Sequence, residues 1–186
     1  DGSAFPDISW PAPLTKTLAV MEPMLYFSYG SNMSTPRLRI RVPSARAVAV
    51  ARLHKHRLKF HKKSKDNSGK CDAECTNDEK DVVYGVVFEI AASEKPELDK
   101  HEGLKNGYEE KRVSIYTEDG KELNAATYYA SNIDSKLKPY DWYKEHVVRG
   151  AKEHCLPFEY IKLLEAVESV ADSDQKRHDK ELSIYR

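Results

Sequence analysis

Alternating apolar and polar positions along this chain predict a fold built mainly from strands. The run from Val82 to Ile90 gives the strongest signal, because it is rich in Val, Phe and Tyr, which favour an extended backbone. Gly85 stands in its middle, where a glycine marks a bulge or a close approach by another group. The other predicted strands are the run that starts at Tyr26, then Ala45 to Leu53, Lys55 to His61, Tyr108 to Thr117 and Leu123 to Ala130, with a short one around Cys71 to Cys75.

Four helices are predicted between and after these strands. Pro36 to Arg41 suits a short helix, and Ser93 can cap a second one over Glu94 to Glu102. A third is expected from Pro139 to Arg149, with Gly150 as its end. Pro157 opens the fourth, in which apolar residues recur at helical spacing, namely Tyr160, Leu163, Leu164, Val167 and Val170.

Mostly antiparallel strands, interrupted by helices at irregular positions, indicate an α+β domain with a small barrel of about six strands and flanking helices. One domain is expected over residues 24–173, since 186 residues suffice for a single core. Residues 1–23 contain four prolines and no signal-peptide pattern, so a flexible or expression-derived leader is expected there. The charged residues 174–186 are expected to form a surface segment, as a helix that frays.

Composition excludes several classes of protein. The chain has 30 Lys and Arg against 30 Asp and Glu, so no overall charge favours nucleic acid. No apolar run approaches the roughly 18 residues of a membrane span. Three cysteines, Cys71, Cys75 and Cys155, form no disulfide framework, which favours free thiols and a reducing cytoplasm, although their roles stay open.

The basic run from Arg52 to Lys65 does not change this interpretation. Alternation along a strand explains it better than a nucleic-acid surface. His54 and His56 could join Cys71 and Cys75 in a zinc site on paper, but their spacing matches no common zinc pattern. We therefore expect neither nucleic acid nor metal to bind.

The stretch from Tyr26 to Asn32 is the first candidate site. An aromatic strand ends there in Gly30, Ser31 and Asn32, and a helix start follows, with Ser34 or Thr35 as the cap. Such a junction points backbone N–H groups, backed by a helix dipole, at a place where an anion could bind. A plain connection between a strand and a helix would need the same residue types.

Glu102 is the candidate general base. It follows Leu98 by one helical turn, so both are expected on the buried face of their helix. Burial and the negative end of the helix dipole would both raise its pKa towards neutrality. The alternative is a solvated glutamate at a helix end, and Asp99 could serve as a cap partner or a second acid.

Six short motifs, in this order, resemble the gamma-glutamylcyclotransferases between Leu25 and Tyr160. They are Tyr29-Gly30-Ser31-Asn32, Pro43-Ser44-Ala45, Val50-Ala51-Arg52-Leu53, Tyr84-Gly85-Val86-Val87, Leu98-Asp99 to Glu102-Gly103, and Gly150-Ala151-Lys152-Glu153 to Leu156-Pro157. The leader and the segment from Asp174 lie outside this match.

The resemblance implies a compact barrel with a substrate pocket over the Tyr-Gly-Ser-Asn turn and one essential glutamate. Glu102 matches that acid/base. The matching substrate-binding residues are Tyr26, Phe27, Ser28, Tyr29, Gly30, Ser31, Asn32, Tyr143 and, across a segment one residue shorter than in animal-type members, Tyr108.

The implied reaction closes a gamma-glutamyl group on its own α-amine, giving 5-oxoproline and a free amine without metal, nucleotide or other cofactor. The expected partner is a small gamma-glutamyl substrate, and the protein is expected to be a monomer or homodimer. Two alternatives stay open: a related cyclotransferase that removes the group from a larger amine metabolite, and a non-catalytic module that binds a small ligand on the same barrel.

Overall fold

The computed structural model describes residues 22–186, so most of the predicted leader lies outside the described residues. Five strands form a closed barrel in the order β1-β5-β2-β6-β7, and β3 and β4 form a separate two-stranded sheet. The strands are β1 Met24–Ser28, β2 Arg46–His54, β3 His56–Lys63, β4 Gly69–Cys75, β5 Val82–Ile90, β6 Tyr108–Thr117 and β7 Glu122–Ala130. This confirms the α+β barrel, with five strands in the barrel itself.

Barrel closure depends on β1. It pairs antiparallel with β5 along its length, and Tyr26 meets Ala126 of β7 in the parallel direction. The close approach predicted at Gly85 is present, since a Cβ there would lie 2.4 Å from the Ser28 carbonyl oxygen and 2.7 Å from the Phe27 ring. A glycine at this position therefore lets β1 pack tightly on β5.

Within the described residues, five α-helices lie around the barrel. They are α1 Thr35–Arg41, α2 Lys95–Glu102, α3 Asp141–Glu153, α4 Phe158–Glu165 and α5 Gln175–Leu182. The prediction that Gly150 ends α3 is wrong, because the helix continues to Glu153. A Cβ at Gly150 would lie 2.4 Å from the backbone N of Ser34, so the glycine permits close packing rather than a stop.

The hairpin of β3 and β4 packs beside β7. The Asp72 carboxylate accepts from the Ala130 backbone N at 2.7 Å and lies 2.8 Å from His61 Nε2. These two contacts hold the neighbouring Cys71 close to the end of β1, which belongs to the first candidate site.

The C-terminal segment is tied to the rest of the molecule. Glu181 accepts from Arg37 at 2.5 Å, and the Tyr185 hydroxyl lies 2.8 Å from Ser34 Oγ and 2.7 Å from His146 Nδ1. These contacts attach α5 and the turn after it to the start of α1 and to α3. Within residues 22–186 no helix combines the length and apolar character needed to cross a bilayer.

Candidate active site

A cavity of about 290 Å³ opens where β1 ends. Eight of the residues predicted to bind substrate, together with the predicted base Glu102, contribute to its wall. The full lining consists of Tyr26, Ser28, Tyr29, Gly30, Ser31, Asn32, Cys71, Glu102, Tyr108, Thr127, Tyr128 and Tyr143.

Phe27 is the predicted substrate-binding residue that does not line this cavity. Neighbouring side chains of a strand point to opposite faces, so Tyr26 and Ser28 reach the cavity while Phe27 points away from it. Its fully buried ring packs on Gly85, and its carbonyl oxygen accepts from the Thr127 hydroxyl at 2.8 Å. Phe27 therefore belongs to the barrel core.

A single 3-10 turn, Ser31–Met33, follows the strand and supplies backbone donors to the cavity. Within the described chain, the N–H groups of Ser31 and Asn32 donate to no backbone acceptor, as expected at the start of a helical turn. Gly30 permits this arrangement, because a Cβ there would lie only 3.0 Å from Cys71 Cβ. The turn thus presents donors at the place where the sequence predicted them.

The residue that caps the start of α1 differs from the prediction. Ser34 stands at the cap position, but its side chain makes no capping hydrogen bond and is engaged by Tyr185 instead. The Glu153 carboxylate accepts from the Thr35 backbone N at 3.1 Å and so caps the helix. Because a protein carboxylate already occupies this helix end, the donors available to a ligand are those of the 3-10 turn.

Glu102 faces the turn across the cavity. It is the last residue of α2, and Gly103 ends the helix in the left-handed conformation, as predicted. Leu98, one turn earlier, is fully buried and fixes the face of the helix that points inward. The Asn32 side-chain amide donates to the Glu102 carboxylate, and its oxygen accepts from Arg41 at 3.0 Å. The Asn32 amide therefore links the carboxylate to a cation.

Burial raises the pKa of Glu102 above its ordinary value, while the nearby charges of Arg41, Arg37 and Lys62 and the Asn32 hydrogen bond oppose this rise without cancelling it. Among the described residues that line the cavity, Glu102 has the only carboxylate. A carboxylate with a raised pKa can both take and return a proton near neutral pH.

The tyrosines of the cavity are neutral groups. Tyr108 donates to the Cys71 carbonyl oxygen at 2.5 Å, and Tyr143 accepts from the Cys71 backbone N at 3.0 Å. Burial raises the pKa of both phenols. It also raises the pKa of the Cys71 thiol to about 12, so this cysteine is no thiolate nucleophile at neutral pH. These residues shape the cavity and offer hydrogen bonds.

Asp99 is not a second acid of the cavity. Its carboxylate accepts from the Tyr128 hydroxyl at 2.5 Å and pairs with Lys95. Asp99 therefore stabilises the cavity wall from outside.

Sequence reasoning missed four residues of the site, namely Arg41, Cys71, Thr127 and Tyr128. The sequence places Cys71 in a short strand and offers its thiol to a zinc site, whereas its backbone is what the two tyrosines hold. Thr127 and Tyr128 reach the cavity through closure of the barrel, which has no local signal in the sequence. Between residues 22 and 186, no group of three His, Cys, Asp or Glu side chains is arranged to hold a metal ion.

Comparisons with known proteins agree with this geometry. The model of the AIG2-like family matches residues 82–164. The gamma-glutamylcyclotransferases of Bos taurus and Homo sapiens are each 38% identical to this chain, over 151 and 155 residues respectively. Each alignment covers 79% of this chain and 80% of the relative. A solved structure described as a gamma-glutamyl cyclotransferase superposes with a TM-score of 0.76 at 33% identity, covering 86% of this chain and 99% of that one. The chain belongs to the gamma-glutamylcyclotransferases, a family of enzymes.

Proposed function

We propose that this protein cyclises a gamma-glutamyl amino acid or amide to 5-oxoproline and releases the free amine, with Glu102 as the general acid and base. The observation that carries the proposal is the position of the Glu102 carboxylate, held by Asn32 in the same cavity as the free donors of the 3-10 turn. One proton carrier and one set of anion-binding donors are what this reaction requires.

The substrate supplies its own nucleophile. Its α-amine nitrogen attacks the γ-carbonyl carbon, a five-membered ring forms, and the bond from that carbon to the leaving nitrogen breaks. Glu102 takes a proton from the attacking nitrogen and delivers it to the leaving nitrogen, so no water is consumed. Because both reacting groups belong to one molecule, the walls of the cavity contribute mainly by holding the substrate folded.

The N–H groups of Ser31 and Asn32 bind negative charge in this scheme, either the α-carboxylate of the substrate or the oxyanion at the γ-carbonyl. The neutral phenols of Tyr29, Tyr108 and Tyr143 line the same wall and offer hydrogen bonds without competing for the proton. Tyr26 and Ser28 complete the substrate-binding set.

The state of the cysteines bears on the cellular compartment of the protein. All three cysteines are unpaired, which supports a reducing cytoplasm. We propose that the enzyme acts there on small gamma-glutamyl compounds, as a monomer or homodimer, without a cofactor and without binding nucleic acid. The catalytic domain would comprise residues 24–173.

The experiment that tests this proposal follows the products of gamma-glutamyl-alanine in water labelled with heavy oxygen. Cyclisation predicts unlabelled 5-oxoproline and alanine in equal amounts. Labelled glutamate would show hydrolysis instead, and binding of the substrate without turnover would favour the non-catalytic module. Either of these two results would contradict the proposal.

A further inference from the structure

A second cavity, which is partly open to solvent, shares the Glu102 side chain with the first. Among residues 22–186, Glu102 alone lines both this cavity and the smaller one at the end of β1. A group that accepts a proton from the attacking amine and returns it to the leaving amine must lie within reach of both amines. The second cavity is therefore where the leaving amine would extend.

The walls of this second cavity are strongly basic. Four lysines, Lys62, Lys63, Lys65 and Lys100, line it, and in the described part of the chain Glu102 is its only acidic lining residue. Lys63, Lys65 and Lys100 are exposed and, taken alone, would be ordinary surface lysines. Lys62 differs from them in its environment.

Lys62 is a buried cation. Only 8% of its surface is exposed, and within residues 22–186 its ammonium group has no carboxylate partner within 4 Å. It lies over the Tyr108 ring, 4.6 Å from the centroid. An ammonium group removed from water without a direct ion pair carries a desolvation cost. The face of one aromatic ring and the charges of Glu102 and Asp66, which lie beyond ion-pair distance, offset this cost only in part.

The backbone around Lys62 makes room for this arrangement. The register of β3 against β4 shifts between Lys59 and Lys62, so the strand is irregular where it reaches the cavity. Gly107 has φ of 116°, and a Cβ there would lie 3.0 Å from Lys62 Cε and 3.3 Å from Nζ. Two separate irregularities thus place one buried ammonium group at a cavity beside the base.

We propose that Lys62 binds a carboxylate carried by the leaving amine, so that the enzyme selects gamma-glutamyl amino acids and peptides over neutral amides and cationic amines. This inference rests on the proposed function. A substrate carboxylate would supply the ion pair that Lys62 lacks, and the hydrogen bond between two charged groups is among the strong ones. Lys63, Lys65 and Lys100 would disfavour a cationic leaving group at the same rim.

The first test compares two substrates of the unmodified enzyme. Gamma-glutamyl-alanine and gamma-glutamyl-alaninamide differ in a single group, the carboxylate or its neutral amide. We expect kcat/KM for 5-oxoproline release to be about tenfold or more higher with the carboxylate, chiefly through KM. Equal values would overturn the inference while the proposed function stands. Absence of 5-oxoproline from both substrates would overturn the proposed function and this inference with it.

The second test uses variants of Lys62. Lys62→Met keeps the apolar stem and removes the charge. We expect it to reduce the ratio of kcat/KM between the two substrates to about twofold, mainly because kcat/KM falls for the substrate with the carboxylate. Lys62→Arg is expected to retain most of the preference. Lys121→Met, which removes an exposed lysine from the distant turn between β6 and β7, is the matched control and should leave the ratio unchanged.

A purely structural or electrostatic role of Lys62 predicts a different result. If Lys62 acted only through Glu102 or through folding, Lys62→Met would slow both substrates equally and keep their ratio. That result would overturn the inference. Thermal unfolding of each variant shows whether it is folded at the assay temperature.

Discussion

At the scale of single residues, the site depends on how one asparagine is held. The Asn32 amide donates to Glu102 and accepts from Arg41, so its orientation is fixed from both ends. Its place at the start of a 3-10 turn also leaves its own backbone N–H available to a ligand. One residue thereby joins the anion-binding turn to the proton carrier.

The contact with Arg41 leads to a prediction about pH. Glu102 accepts a proton only when it is ionised, so kcat/KM should rise as the pH increases through its pKa. Burial raises that pKa, and Arg41 makes the largest opposing contribution. Arg41→Met should therefore move the acid limb of the pH profile to higher pH. The measurement is kcat/KM from pH 4 to 9.

Arg39 provides the control for this prediction. It lies on the same helix, is exposed, and is not among the main groups that shift the pKa of Glu102. Arg39→Met should leave the acid limb where it is in the wild-type enzyme. An unchanged limb in Arg41→Met, or one at lower pH, would show that Glu102 is not the group that titrates.

At the scale of elements, local patterns predicted most of the fold. Residue types and alternation placed the strands, such as β5 at Val82–Ile90, because those preferences are properties of short segments. The end of α3 could not be predicted in this way. Gly150 has the signature of a helix stop, yet its function depends on the turn that packs against it from elsewhere in the chain.

The close packing at Gly150 predicts the effect of adding one methyl group. Alanine is the better helix former, but its Cβ would lie 2.4 Å from Ser34 N and 2.5 Å from the Met33 carbonyl carbon, which are backbone atoms that cannot rotate away. We expect Gly150→Ala to lower the free energy of unfolding by about 1 to 3 kcal/mol. Urea unfolding measures this change.

Lys152→Ala serves as the control in the same helix. The Lys152 side chain forms an exposed ion pair with Glu165, so its loss should change stability by less than about 1 kcal/mol. If Gly150→Ala were as stable as the wild type or more stable, close packing would not be what requires glycine at this position. Lower activity in Gly150→Ala is also expected, because the displaced turn carries Asn32.

At the scale of the whole molecule, closure of the barrel brings together site residues that are far apart in the sequence, and the sequence alone could not predict these contacts. The turn and Glu102 carried local signals, a helix start and a helix end, and both were predicted. Thr127 and Lys62 reach their cavities only because the barrel closes and the β3–β4 hairpin packs beside it. The contact of Glu181 with Arg37 likewise joins residues at opposite ends of the described chain, where composition indicated only a charged surface.

In the proposed mechanism the Glu102 carboxylate carries the proton, and the rest of the cavity binds the substrate without it. The most direct measurement is 5-oxoproline release by Glu102→Gln, together with binding of gamma-glutamyl-alanine to the same variant. We expect kcat to fall by about 10²- to 10⁴-fold while binding is retained, because glutamine keeps the shape of the side chain and can still accept from Asn32. Full activity in Glu102→Gln would show that Glu102 does not carry the proton.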